Sequence, residues 1–322
     1  MLSKEIIENA FHNKKITITE ESININNTEF EISGNVIRFH KENDYNESFS
    51  IQWNTYHNNQ YDDINNNNMS QLRINETGWK LDDLEGKFIL EAGCGPGRFT
   101  RIFSQAKAKV LAFDFSQAVD ANFKNNKNAQ NIVFCQADIF NMPFSEGQFD
   151  YVYCHGVLQH TPNPQKAFFC LAGMVKPGGH LSVDIYRKDG LIRPWKSKYI
   201  WRPITTRVPP TKLLKFLQWF IPLWLPIDTF LKKIPYAGNY LGSIIPCWNY
   251  WNRPLSADQK VQWAVMDTFD ALAPKYDIPA SIEELESWFK EIGFTNIDVH
   301  PGGNGVVGNG TKPEHNSHQD GK

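Results

Sequence analysis

Apolar residues recur along this chain in two rhythms, and the change between them divides it. From Ile16 to Phe39 they alternate with polar ones, in Ile16-Thr-Ile-Thr19, Ile23 to Ile25, Phe30-Glu-Ile32 and Val36-Ile-Arg-Phe39, with Gly34-Asn35 as a turn. A period of two predicts short hairpin strands with one face buried. From Phe88 the rhythm becomes one of short unbroken apolar runs. Phe88-Ile-Leu90, Lys109 to Phe113, Ile132 to Cys135, Phe149 to Cys154 and His180 to Tyr186 read as strands buried on both faces. Helical stretches at Phe99 to Ala106 and Gln165 to Val175 fall between such runs, which predicts an α/β fold on a parallel sheet with helices on both faces. Near the end, Ser281 and Glu284 form the capping-box signature of a helix reaching Ile292, and Gly293 stops it. A strand then runs from Thr295 to His300, and Gly302 to Gly308 is expected to add an antiparallel last strand.

Residues 187–260 fit neither rhythm. Trp195, Trp201, Trp219, Phe220, Trp224 and Trp251 crowd together there among many prolines. The run from Leu213 to Leu231 is apolar, yet Lys215, Asp228, Pro222 and Pro226 interrupt it and its length is marginal for a bilayer core. The prolines are expected to divide it into two short helices. Three readings stand: an inserted cap whose aromatic faces roof a substrate pocket, one that dips into a membrane surface, or a true span. The expected order is a small β-rich segment (1–45), a helical lid or linker (46–85), a ligand-binding core (86–187), the aromatic cap (188–265), closing elements of the core (266–309) and a disordered tail (310–322).

Candidate chemistry concentrates where the first core strand ends. Phe88-Ile-Leu-Glu91 runs into Gly93-x-Gly95-x-Gly97 and then a helix, the arrangement that lets bare backbone approach a nucleotide-like ligand at the carboxyl edge of a parallel sheet. A second strand ends in Asp114, 21 residues after Gly93, where a carboxylate can take both hydroxyls of a ribose. The third is followed by Ala137-Asp138-Ile139, an acidic tip suited to an adenine amino group. A dinucleotide-dependent oxidoreductase is the rival reading. Its fingerprint, Gly-x-Gly-x-x-Gly, would need glycine where Arg98 stands, and Gly97 comes one residue early.

Glu91-Ala-Gly-Cys-Gly-Pro-Gly97, Asp114-Phe-Ser116, Ala137-Asp138-Ile139, Pro143-Phe144, Phe149-Asp150, Gly156-Val-Leu158 and Lys176-Pro-Gly-Gly179 occur in order over about 100 residues. In this the chain resembles the class I S-adenosylmethionine-dependent methyltransferases, of the ubiquinone/menaquinone-methyltransferase-like kind. The resemblance implies a seven-stranded Rossmann-like sheet and S-adenosylmethionine as cofactor. Glu91, Gly93, Gly95 and Gly97 would line its methionine moiety, Asp114 its ribose, and Asp138 with Ile139 its adenine, with Cys94, Phe115 and His155 beside them. Ser48-Phe49-Ser-Ile-Gln52-Trp53 and Tyr61 resemble a segment of the same relatives. There Gln52, Trp53 and Tyr61 are expected either to form a lid or to dock as an amphipathic helix on the sheet. Tyr186, at the end of the fifth strand, is expected on the substrate side, to orient an acceptor or to pack in the core. The N-terminal strands resemble a zinc-ribbon-like domain of those relatives without its cysteines, so no metal is expected.

Methyl transfer to oxygen needs a base. His160 is the first candidate and His155 the second, because histidine titrates near neutral pH. The run Gly156-Val-Leu-Gln-His160-Thr-Pro resembles the Val-Leu-His-His-Thr-Pro of relatives, with Gln159 in place of the first histidine. Tyr276 is a third residue able to orient an acceptor.

Composition narrows the partners. A formal charge of −2, from 33 Lys and Arg against 35 Asp and Glu, lacks the basic balance of phosphate-tracking proteins, so nucleic acid is not an expected substrate. Five scattered cysteines without C-x-x-C spacing point to a reducing, cytoplasmic compartment, and Met1 to Lys15 resembles no leader peptide. The expected function is methyl transfer to an O or N nucleophile of a small or amphiphilic acceptor: a glycan, a quinone-like lipid or a secondary metabolite. Contact with a membrane surface through the aromatic cap is expected as an accompaniment, and a non-catalytic S-adenosylmethionine-binding subunit is the other alternative.

Overall fold

A computed structural model, which describes residues 3–40, 46–188, 197–253 and 255–314, places the expected apolar runs in one mixed sheet. Its strands are β1 (Ile16–Ile18), β2 (Ser22–Ile25), β3 (Thr28–Ser33), β4 (Val36–Arg38), β5 (Phe88–Ala92), β6 (Lys109–Asp114), β7 (Ile132–Gln136), β8 (Phe149–Cys154), β9 (Val175–Ile185), β10 (Thr295–Gly302) and β11 (Gly305–Thr311). Their spatial order is β1-β2-β3-β4-β7-β6-β5-β8-β9-β11-β10. The last seven in that order make the expected sheet, parallel from β7 to β9 and antiparallel at β11 and β10.

The sheet nevertheless has eleven strands rather than seven. The N-terminal alternating segment forms an antiparallel meander, and β4 pairs in parallel with β7 through Val36–Phe134, Ile37–Cys135 and Arg38–Gln136. Nothing connects it to a zinc-ribbon domain: it extends the main sheet. Two apolar layers cover the faces, as the period of two requires. Val152, Leu181 and Val183 pack with Phe168, Leu285 and Phe289 on one face. On the other, Ile89, Val110, Ala112 and Tyr153 pack with Phe99 and Phe103.

The closing helix, Ile282–Glu291, carries the expected capping box at Ser281 and Glu284, and Gly293 beyond it holds φ 74°. The tail begins later than expected. Gly310 and Thr311 belong to β11, and Lys312 exchanges backbone hydrogen bonds with Gly178 and Gly179. Two strand neighbours satisfy those backbone groups, which outweighs the polar composition. Residues 315–322 lie outside the described ones.

These elements form one compact unit of residues 1–42, 68–188 and 276–322. A second unit, residues 43–67 and 189–275, is helical. It holds helices Glu47–Thr55, Lys198–Thr205, Pro210–Lys232, Gly238–Gly242 and Ala257–Leu272. The boundary expected between 265 and 266 falls inside the last of these. Buried Arg202 closes its carboxyl end by donating to the carbonyls of Ala271 (2.9 Å) and Pro274 (2.7 Å).

The break expected at Pro222 and Pro226 does not occur: Pro210–Lys232 is one helix of 23 residues. At about 100° per residue both prolines lie away from Leu214, Leu217, Ile221 and Leu225, which are buried. The unit's core therefore holds the helix, while the two hydrogen bonds lost to proline fall on the unpacked side. No helix among the described residues is long and apolar enough to cross a membrane. Trp195 of the aromatic segment lies outside the described residues.

Candidate active site

Parallel strands β5, β6 and β7 end at one edge of the sheet, so Glu91, Asp114 and Asp138 emerge together there. Between β5 and the helix Arg98–Gln105 the chain turns through Gly93, Gly95 and Gly97, with φ of 69°, 51° and 93°. Such angles favour glycine, and two positions also lack room for any side chain. A Cβ on Gly93 would lie 2.2 Å from a methyl of Val157; one on Gly97 would lie 2.0 Å from Asn122 Oδ1.

Asp114 ties this loop to the neighbouring strand tip. One carboxylate oxygen accepts from the Gly95 amide (2.9 Å), and the other from the Ser116 amide (2.8 Å) and hydroxyl (2.6 Å). Burial raises its pKa, and the bonds from Ser116 and Gly95 oppose the rise. Glu91 is buried more deeply. Burial pushes its carboxyl up to about 8, although the Thr100 hydroxyl donates to it. Thr100 in turn accepts from Asn122, which accepts from Asn126 (both 2.8 Å), and Asn126 also donates to the Gly97 carbonyl (3.2 Å). This buried chain fixes the glycine loop from beneath. Asn122 and Asn126, one turn apart on a helix, were its only trace in the sequence.

The other expected cofactor residues lie near the same edge. Cys94 is buried, and burial raises its thiol pKa well above the ordinary value. Phe115 stacks on His40 with centroids 4.2 Å apart. Asp138 accepts from the Phe140 amide (2.9 Å) and so caps the short turn Ile139–Asn141, with Ile139 buried.

The two histidines after β8 have different surroundings. His155 lies flat against Tyr153, and its Nε2 is 2.9 Å from the Ser182 hydroxyl. Burial pushes its pKa down to about 3, against the pull of Asp184, so the ring is neutral. His160 Nδ1 is 3.1 Å from the Tyr276 carbonyl, and the edge of Tyr186 packs against its ring. A carbonyl only accepts, so this contact places the proton of a neutral ring on Nδ1 and the lone pair on Nε2. The Ile278 amide reaches the Gln159 carbonyl (2.8 Å), so chain from 276 onward runs beside this loop. Tyr276 thus contributes its backbone.

Sequence reasoning missed the ion pair behind the loop. Buried Arg73 donates to Asp184, and Glu76 stands 3.6 Å from its guanidinium. Burial works against the Asp184 charge, but Arg73 beside it holds its pKa below the usual carboxylate range. Asp184 also accepts from the Gly156 amide (2.5 Å), at the start of the turn leading to His160.

Gln52, Trp53 and Tyr61 belong to the helical unit. Gln52 and Tyr61 are buried there and Trp53 is half-buried. Tyr56, Asn59, Gln218 and Gln262 of that unit line a cleft of about 410 Å³.

The match to a known family falls within the sheet-bearing unit. Residues 90–183 match the family described as methyltransferase domain. The ubiquinone biosynthesis O-methyltransferase of Acinetobacter baumannii is 29% identical over 125 residues, 38% of this chain and 53% of that protein. The tRNA U34 carboxymethyltransferase of Campylobacter curvus is 31% identical over 105 residues, 32% of this chain and 35% of that one. A solved S-adenosylmethionine-dependent methyltransferase from Aquifex aeolicus overlays 84% of this chain and 98% of its own, at 13% identity and a TM-score of 0.43. The chain thus spans about half the length of the first of these relatives, or less. Residues 90–183 are a methyltransferase domain, and S-adenosylmethionine is the methyl donor that the sequence resemblance implies for it. The residues present suit it: an open glycine turn, a carboxylate at the second strand tip and a third acid beyond it.

Proposed function

We propose that this chain transfers a methyl group from S-adenosylmethionine to an oxygen nucleophile, with nitrogen as the alternative, on a small or amphiphilic acceptor such as a quinone-like lipid, a glycan or a secondary metabolite. One observation carries the reading: Asp114 holds the Gly95 amide and the Ser116 turn together at the edge where three glycines expose the backbone. Likeness over 125 residues to an enzyme named for ubiquinone biosynthesis favours a quinone-like acceptor.

The bound sulfonium supplies an already activated methyl group, so what remains for the chain is to align the acceptor and accept its proton. His160 fits the second task. Its Nδ1 contact with the Tyr276 carbonyl fixes the tautomer that presents Nε2 as the basic atom, and Tyr186 limits rotation of the ring. His155 is a structural residue on this reading, neutral and bonded inside the sheet.

Two measurements test this. Asp114→Ala should weaken binding of S-adenosylhomocysteine in calorimetric titration by about tenfold or more, the loss of one charge-assisted hydrogen-bonding group, and the unaltered protein should show no heat with NADH. Equal affinity in both proteins would remove the assignment. His160→Ala should lower kcat by about a hundredfold with phenolic acceptors while leaving S-adenosylhomocysteine affinity unchanged. An undiminished kcat would rule it out as the base.

A further inference from the structure

Helix Pro210–Lys232 has two apolar faces. One, carrying Leu217, Ile221 and Leu225, is buried in its own unit. On the opposite side Phe216, Trp219, Leu223, Ile227 and Phe230 are 51%, 64%, 60%, 50% and 70% exposed. At about 100° per residue these five fall within one narrow arc, a stripe roughly 20 Å long. A lone exposed apolar residue is ordinary, whereas a continuous stripe marks a surface that meets something. It does not stand alone. Of the 18 large hydrophobic residues exposed among the described ones, 14 lie between 197 and 253. Trp201 donates to the Ile244 carbonyl (3.1 Å), which joins two further exposed pieces of that span.

Charge says what covers the stripe. Residues 197–253 hold eight Lys and Arg but one acid, Asp228, in a chain whose net charge is −2. Asp228 is buried and paired with Lys232 at 2.9 Å. By the same helical arithmetic Lys212 continues the stripe at its amino end, while Lys215 and Lys233 flank it on one side, five turns apart.

We propose that this face docks on an anionic lipid bilayer, with the helix lying in the plane of the interface. Phe216, Leu223, Ile227 and Phe230 would enter the boundary between headgroups and acyl chains. Trp219 would sit at headgroup level, and the lysines would reach lipid phosphates. A second copy of the same face would bring like charges together, and an uncharged bilayer would leave the cations without a role. The reading is independent of methyl transfer.

The full chain should co-sediment with vesicles of phosphatidylcholine containing roughly 30% phosphatidylglycerol, and not with phosphatidylcholine alone, losing the binding as salt screens the lysines. Trp219→Glu with Leu223→Glu should reduce the bound fraction about tenfold. Lys212→Glu, Lys215→Glu and Lys233→Glu together should abolish the preference for anionic vesicles. All these positions lie on the unpacked side, so melting temperature and S-adenosylhomocysteine affinity should stay unchanged, which keeps this test separate from that of the cofactor site. Absence of vesicle binding, or binding indifferent to lipid charge and to these substitutions, overturns the proposal. So does a dimer in light scattering that the Trp219 variant dissolves while no vesicles are bound.

Discussion

Replacing Arg73 by alanine should destabilise the protein by about 3–5 kcal/mol, because it strands a buried charge. Asp184 is fully buried and keeps its charge through Arg73, so truncating the arginine leaves a carboxylate that must protonate or draw in water. The loss reaches beyond the pair. Asp184 also accepts from the Gly156 amide, so the turn leading to His160 is anchored on the same carboxylate. Urea denaturation at pH 7 measures the cost. Arg73→Met combined with Asp184→Asn should recover most of it, since the asparagine oxygen still accepts from Gly156 and neither member of the Arg73–Asp184 pair is then charged. A loss below about 1 kcal/mol in Arg73→Ala, the size of an exposed ion pair, would show that the pair is solvated after all.

Glu91→Gln should make the ligand-free protein more stable at alkaline pH and weaker as a cofactor binder. The Glu91 carboxyl is raised from 4.5 to about 8, so between those values the folded chain keeps a proton that the unfolded chain has lost. Stability from this group is therefore present below pH 4.5 and declines as pH rises, at about 1.36 kcal/mol per unit, until the folded group also ionises near pH 8. His155, lowered to about 3, acts oppositely: its contribution is complete above pH 6.5 and lost as pH falls. Between pH 6.5 and 8 the Glu91 slope thus stands clear of His155, and the cumulative cost by pH 8 is roughly 4 kcal/mol. Thermal melts across that window should fall for the wild type and stay nearly flat for Glu91→Gln, in which Thr100 can still donate to the side-chain oxygen. Cofactor binding should release a proton in the wild type, because positive charge favours the carboxylate, and none in the variant. Calorimetry in buffers of different ionisation enthalpy reads this directly; parallel melting curves would end the argument.

The sequence disclosed most where burial on both faces forces a continuous apolar run. Phe88–Ala92 and Ile132–Gln136, buried along their whole length, were legible for that reason, and the glycines between strand and helix marked the turn. The N-terminal alternation announced hairpins, yet not their attachment to β7, since backbone groups make that pairing and they carry no signature in residue type. Pro222 and Pro226 suggested a break because propensity is local, whereas the buried face that keeps the helix whole is tertiary. The glycine loop and acidic tips could be placed because each is a short motif. Neither Arg73 with Asp184 nor His160 with Tyr276 could be, because the partners stand 111 and 116 residues apart.

The added meander also decides what a neighbouring chain would find at the rim. Without it, the hydrogen-bonding margin of a wholly buried strand, β7, would be an open template for aggregation. With it, the outermost strand on that side is β1, three residues long. The opposite rim, β10, is irregular between Thr295 and Asp298 and carries Pro301. Both margins are thus blunted, and a protein with so much exposed apolar surface elsewhere keeps its sheet from recruiting others of its kind.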